Sequence, residues 1–331
     1  MRPTPSEGRT FPRKYRDKAG RPDRGVKASR AGFLAAVTGS SLWGLSGTAA
    51  QVIFEGSGFP VWGLVTIRML GASLLLFVVL RPKWPRPWTL PFASLAVFGL
   101  AGSQATYLEA IFYTGVTTAT LLQFLTLPIV AVFELATGAL RWTAQWAALL
   151  FLVTVGTVLL VGTFTVHGIS VAVTPLGLAF GLLSAASGAY YLLGSRRFVH
   201  AESAPWVTTW GFLLGGVVTA PLGAWGLSRY SWPTSIAHDG LLVGLILFVV
   251  VGGTLLAYTL YIWGLRDLRA TETALAGSLE PIVAAIAGFV VLGVVLTPAQ
   301  YFGGALIVGA VVWLGATFRA PRARRAGPAR E

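Results

Sequence analysis

Apolar stretches long enough to cross a lipid bilayer recur along nearly the whole of this 331-residue chain. A hydrocarbon core about 30 Å thick takes about 20 helical residues to span. Ten such stretches can be marked, at approximately 31–54, 61–80, 91–113, 117–137, 144–163, 174–195, 203–226, 241–264, 271–292 and 300–318. Composition agrees: 55% of residues are hydrophobic, 11% are charged and mean hydropathy is +0.71, too little polarity to cover a water-facing surface. Lipid offers no hydrogen-bond partners, so a spanning segment is either a helix or a strand in a closed barrel. Barrel strands alternate polar and apolar residues over about 10 positions, whereas the runs 74–80 and 245–251 are unbroken Leu, Ile, Val and Phe. The expected fold class is therefore an all-α integral membrane protein with ten transmembrane helices. Its tightest junction lies between the third and fourth spans, where Thr114, Gly115 and Val116 must make the whole turn.

The net charge of +13 sits mainly in the two tails, with +7 in residues 1–30 and +4 in residues 319–331. Both tails are rich in Pro, Gly and Arg and lack hydrophobic periodicity, so they are expected to be disordered. In the short loops, placing the N-terminus in the cytoplasm puts Arg81, Lys83, Arg86, Arg141, Arg196, Arg197, Arg266 and Arg269 inside and only Arg229 outside. That asymmetry follows the positive-inside rule, and ten spans return the C-terminal tail to the cytoplasm. Basic tails beside a membrane suit anionic lipid headgroups; nucleic acid is not an expected partner. The first span follows a basic region as a signal peptide would, but it is too long for one and is expected to be retained.

The chain has no cysteine, which removes disulfides, thiolate metal sites and cysteine nucleophiles. His167, His200 and His238 fall in separate loops or loop edges, without the helical pairing a metal site uses. No metal or cofactor is expected. Loops too short to hold a soluble catalytic domain, and the lack of an ATP-binding motif, point away from an enzyme and away from an ATP-driven pump.

Pro128 and Pro281, Gly156 and Gly309, and Gly162 and Gly315 are each 153 positions apart. The flanks Leu127-Pro128-Ile129-Val130-Ala131 and Glu280-Pro281-Ile282-Val283-Ala284 agree on both sides of the proline. Two repeats of five spans, 31–163 and 174–318, are the simplest account. An odd number of spans makes the second repeat enter from the opposite face, and inverted repeats give a scaffold that can open to either side around a midplane site.

The chain resembles the EamA-type transporters of the drug/metabolite transporter superfamily over roughly residues 31–318. The similarity is carried by Tyr113-Thr114-Gly115 through Thr118-Ala119-Thr120 to Leu127-Pro128-Ile129-Val130, and by Gly264-Leu265 through Ala270-Thr271-Glu272-Thr273 to Leu279-Glu280-Pro281-Ile282-Val283. Leu127 replaces the glutamate of the family's Glu-Pro pair in the first copy, and Ser187 stands where many members carry tryptophan. The resemblance implies a ten-helix carrier with a central cavity, mostly exporting amino acids, metabolites or toxic compounds from bacteria. The expected function is a secondary transporter in the inner membrane, exporting a small organic solute, foremost an amino acid or related compound. Broad drug efflux and a non-transporting scaffold are the alternatives.

Residue chemistry nominates the site. Trp43, Tyr107, Gln123, Tyr190, Tyr258 and Tyr261 are mid-span side chains suited to a partly apolar solute, and packing would explain each equally well. Glu280 lies about 15 Å into its helix at 1.5 Å per residue, where a carboxylate must pair, face water or hold a proton. Arg68 and Glu109 have matching depths on neighbouring spans, so an ion pair or shared polar network is expected. Pro128 and Pro281 remove helix hydrogen bonds and would free the carbonyls of Phe124, Leu125, Gly277 and Ser278 to line a cavity. Glu134 with Arg141 is expected to form a charge pair at the inner end of span 4. Trp62, Trp84, Trp88, Trp142, Trp206 and Trp232 suit the interfacial belt. The spacings Gly177-xxx-Gly181, Gly211-xxx-Gly215 and Gly240-xxx-Gly244 permit close helix contacts, within one bundle or between two copies, leaving monomer and homodimer both open.

Overall fold

Helices account for almost all of the backbone described in the computed structural model, which covers residues 30–82, 89–161, 163–165, 168–170, 174–232, 236–292 and 297–317. Both basic tails lie outside these residues, as do Lys83, Trp84, Arg86, Trp88, Gly162 and His167. In chain order the helices are α1 (Arg30–Ser57), α2 (Val61–Leu80), α3 (Leu90–Ser94), α4 (Gly102–Gln123), α5 (Thr126–Ala136), α6 (Ala144–Val161) and α7 (Pro175–Val199). There follow α8 (Ala204–Leu227), α9 (Ile236–Val250), α10 (Ala257–Asp267), α11 (Ala270–Ala276), α12 (Glu280–Leu292) and α13 (Pro298–Thr317). A small antiparallel hairpin, β1 (Thr163–Thr165) with β2 (Gly168–Ser170), lies between α6 and α7 and departs from the all-α expectation.

Several of these helices join into longer spans. A π-helical segment, Leu95–Ala101, links α3 to α4, and a second, Val251–Leu256, links α9 to α10. Among the described residues, eight segments are long and apolar enough to cross a membrane: Val61–Leu80, Leu90–Val116, Thr118–Ala136, Pro175–Val199, Ala204–Leu227, Gly240–Asp267, Ala270–Val291 and Pro298–Thr317. Ala144–Leu160 is a shorter apolar helix. α1 has the length but is less apolar, and its packing explains why: α9, α10, α11 and α12 all lie against it. A helix surrounded by protein has no need of a greasy surface. The molecule is an all-helical integral membrane protein apart from the hairpin. Its outward surface carries the expected apolar belt, including Leu74, Val78, Val79, Phe98, Val132, Phe151, Val290 and Val312, all exposed.

Small residues set the closest crossings. A methyl group built on Gly44 would stand 2.5 Å from the Glu280 carbonyl oxygen and 2.9 Å from the Ala284 nitrogen, so α1 and α12 meet backbone to backbone. Gly156 and Gly303 do the same for α6 and α13, each facing the other's carbonyl. Gly177 and Gly181 pack on Thr114 and Leu122, and Gly211 and Gly215 on Leu100 and Met69. Those two spacings serve internal contacts, whereas Gly240 and Gly244 have open space around them.

The turn between the third and fourth spans falls at Gly115, whose backbone (φ 75°, ψ 161°) breaks α4. That region of φ/ψ space is essentially reserved for glycine. The prolines also mark breaks, in a way that differs from simple freed carbonyls. Helix hydrogen bonding is interrupted at Phe124 and Leu125, just before α5, and at a 3-10 turn, Gly277–Leu279, just before α12. The Leu127 amide donates to the Phe124 carbonyl, the Ile129 amide to Leu125 and the Glu280 amide to Gly277. Tightened turns thus re-engage the Phe124 and Gly277 carbonyls, and an ordinary helical bond the Leu125 carbonyl, all three of which the prolines were expected to release. Pro128 faces outward, while Pro281 and Ser278 are buried.

Candidate solute cavity

The breaks before the two prolines bring seven spans around one interior cavity of about 80 Å³. Trp43, Arg68, Tyr107, Gln123, Tyr258, Tyr261 and Glu280, all singled out by sequence, line it. Leu127 and Glu280, the residues preceding each proline, face it, whereas Pro128, Ser278 and Pro281 do not. The prolines position the turn, and the neighbouring side chain reaches the cavity.

One wall is aromatic. The Trp43 ring lies 4.4 Å from Tyr261 and 4.7 Å from Tyr258, centre to centre, and Tyr191 lies 5.4 Å from Tyr258. The Tyr261 hydroxyl donates to the Thr273 carbonyl at 2.8 Å, tying the wall to α11. Polar groups complete the lining. The Tyr107 hydroxyl donates to Glu280 Oε1 at 3.1 Å and meets Thr120 Oγ1 at 2.8 Å. Arg68 enters from α2, its Nε donating to Thr254 Oγ1 at 2.8 Å and its Nη2 to the Gly253 carbonyl at 3.3 Å. Both acceptors belong to the Val251–Leu256 π segment, whose wide turn sends the Thr254 hydroxyl back to Val249 and presents the Gly253 carbonyl sideways.

Three expectations are corrected. Arg68 and Glu109 form no ion pair, because similar depth on two helices does not fix which faces meet: Arg68 points at the π segment and Glu109 at Trp62. Tyr190 lies outside the cavity with its hydroxyl 2.6 Å from Ser94 Oγ, and Tyr191 occupies the wall instead. The pattern that could have chosen Tyr191 was present: Gly177, Gly181, Ser184, Gly188, Tyr191 and Ser195 recur at alternating spacings of four and three, and all are buried. Such spacing marks the inward stripe of a helix.

Glu134 is the third correction. It pairs with Arg196 Nη1 at 3.5 Å, not with Arg141. Its carboxylate also accepts the backbone amides of Ala270 and Thr271, each at 3.1 Å, and the Thr271 hydroxyl at 2.6 Å. A buried carboxylate on α5 therefore caps the start of α11. Gln104, Ser46, Ser103 and Gly188 also line the cavity and were not anticipated. Short polar residues within apolar spans gave only a weak signal for them.

Comparison with known proteins places the chain among membrane transporters. The model of the EamA-like transporter family matches residues 175–316. The uncharacterized inner membrane transporter YicL of Salmonella typhimurium is 30% identical over 314 residues, covering 90% of this chain and 99% of that protein. The chain belongs to the EamA-like transporter family. It is a multi-pass protein of the bacterial inner membrane. Another relative is the uncharacterized transporter YwfM of Bacillus subtilis, 26% identical across 87% of this chain and 93% of its own. The threonine/homoserine exporter RhtA of Escherichia coli is also 26% identical, across 80% of this chain and 82% of its own. A protein crystal structure shares the fold at a TM-score of 0.70 and 19% identity, covering 88% of this chain and all of that one.

Proposed function

We propose that this EamA-family transporter is a secondary carrier that exports a small amino acid or related compound by alternating access. The observation that carries the proposal is the cavity itself, whose lining combines clustered aromatic rings with a half-buried carboxylate and a buried guanidinium. The relative named for threonine and homoserine export supports the solute class and the direction. In this conformation the cavity is smaller than the several hundred Å³ of typical ligand pockets. That size favours a small solute over the bulky compounds of broad drug efflux.

The scaffold for alternating access is ten spans in two inverted repeats, 31–163 and 174–318. Structural features recur at the sequence period in support of this reading. Gly115 and Leu268, 153 apart, both leave helical geometry, and Phe124 and Gly277, also 153 apart, both begin the break before a proline. π segments occur in the third and eighth spans. The pairs α1 with α10 and α7 with α4 exchange under the repeat, as do α1 with α12 and α7 with α5, while α2 with α8 and α6 with α13 map onto themselves.

Glu280 and Tyr107 form the coupling group in this proposal. One carboxylate cannot hold a proton and a cationic solute group together, so an exchange of one for the other gives proton antiport; uniport is the outcome if Glu280 never takes a proton. On the cytoplasmic side, by the positive-inside assignment, Glu134 joins the two repeats and must release α11 when that face opens. Flux of labelled amino acids in proteoliposomes, with Tyr107→Phe and Glu280→Gln alongside the native protein, tests the proposal. Native flux that both variants abolish or slow is expected; unchanged flux in both would remove the cavity from the transport path.

A further inference from the structure

Arg68 and Glu280 line the same cavity, yet among the described residues they make no ion pair with each other. Each is bonded to neutral groups alone: Arg68 to a threonine hydroxyl and a backbone carbonyl, Glu280 to a tyrosine hydroxyl. Taking a charge out of water without a hydrogen-bonded counter-charge is costly, and here a buried guanidinium and a half-buried carboxylate share one chamber, near enough to interact electrostatically but without direct contact. Three donors of the cavity lining also lack acceptors: Gln104 Nε2, Trp43 Nε1 and the Tyr191 hydroxyl. Buried donors are ordinarily bonded. Gln104 is almost fully buried at 2% exposure.

These observations fit a ligand with two ends. We infer that the cavity is built for a small zwitterion, its carboxylate on Arg68 with Gln104 and its ammonium on Glu280. The inference rests on the amino-acid reading and adds which residues grip which end. A zwitterion leaves the chamber's overall charge unchanged and supplies each fixed charge with a partner. A simple anion or cation satisfies only one of them. Trp43 and Tyr191 offer their remaining donors to the same solute.

The test is binding to the purified protein, followed by thermal stabilisation and by competition against labelled L-threonine. The competitors are L-threonine methyl ester, which lacks the anionic end, and N-acetyl-L-threonine, which lacks the cationic end. Each is expected to bind on the order of tenfold or more weakly than L-threonine, as loss of one member of a buried charge pair implies. Arg68→Gln should then erase the advantage of L-threonine over its methyl ester, and Glu280→Gln its advantage over the N-acetyl compound. If Arg68→Gln does not accumulate in the membrane, Glu280→Gln with the N-acetyl competitor gives the same test from the other end. L-threonine bound and moved, but matched by both derivatives, overturns the two-ended site and leaves the amino-acid reading standing. No binding of L-threonine, L-serine, L-homoserine or L-alanine overturns both.

Discussion

Under the proposed alternating access, replacing Glu134 should loosen the contact that keeps its face of the carrier closed, by an amount its hydrogen bonds let one work out. The carboxylate is 2% exposed and accepts three hydrogen bonds from Ala270 and Thr271, besides facing Arg196. Hydrogen bonds to a charged group contribute about 1.5–3 kcal/mol each, and neutral ones about half as much. Glu134→Gln keeps an acceptor oxygen but loses the charge, so the closed state should lose about 3 kcal/mol, roughly a hundredfold in a two-state equilibrium. Glu134→Ala strands two buried backbone amides and should cost about 4 kcal/mol. The absence of native cysteine provides the assay. A single cysteine at Gln123, on the cavity wall, should react with a membrane-impermeant maleimide from the cytoplasmic face much faster in the Glu134→Gln background. Native-like labelling and native-like thermal stability in both Glu134 variants would refute the reasoning.

Other substitutions probe the rest of the framework. Gly44→Ala places a methyl against the backbone of Glu280 and Ala284 and should cost about 1–3 kcal/mol through overpacking, with transport lost at least as steeply as thermal stability. Gly115→Ala forces an L-residue into a glycine-only conformation and should cost about 1–3 kcal/mol, measured as a fall in unfolding temperature in detergent. Tyr190→Phe removes only the contact with Ser94 and should leave solute affinity native, whereas Tyr191→Phe should weaken it; equal effects in a binding titration would undo the distinction between them.

What the sequence made legible was depth, and what it concealed was direction. Apolar length alone located Val61–Leu80 and Pro298–Thr317 to within a few residues, and the crowded junction at Gly115 announced its turn. Mid-span position was enough to bring Trp43, Tyr107, Tyr258, Tyr261, Arg68 and Glu280 under suspicion, and the structure places all six around one cavity. Azimuth is a different matter. In a chain that is apolar on every face, hydrophobic contrast hardly separates one helix surface from another, so Tyr190 was chosen over Tyr191 and Arg68 was joined to Glu109. The small-residue stripe of α7 held the missing information, because helix contact in lipid is marked by size more than by polarity. The π segments and the Glu134 cap had no local signature at all. The Glu134 cap and the Arg68 bond to the Val251–Leu256 segment each join a backbone group on one helix to a side chain distant in sequence.

Passage of a small amino acid through the Arg68 and Glu280 cavity is the step on which the proposed function rests. Its most direct test is the flux of labelled L-threonine and L-homoserine in proteoliposomes, with and without an opposing pH gradient. Solute-dependent flux that accelerates against an inward proton gradient and vanishes in Glu280→Gln is the predicted result. Flux indifferent to the gradient would contradict proton exchange, and an absence of flux for every amino acid would contradict the passage itself.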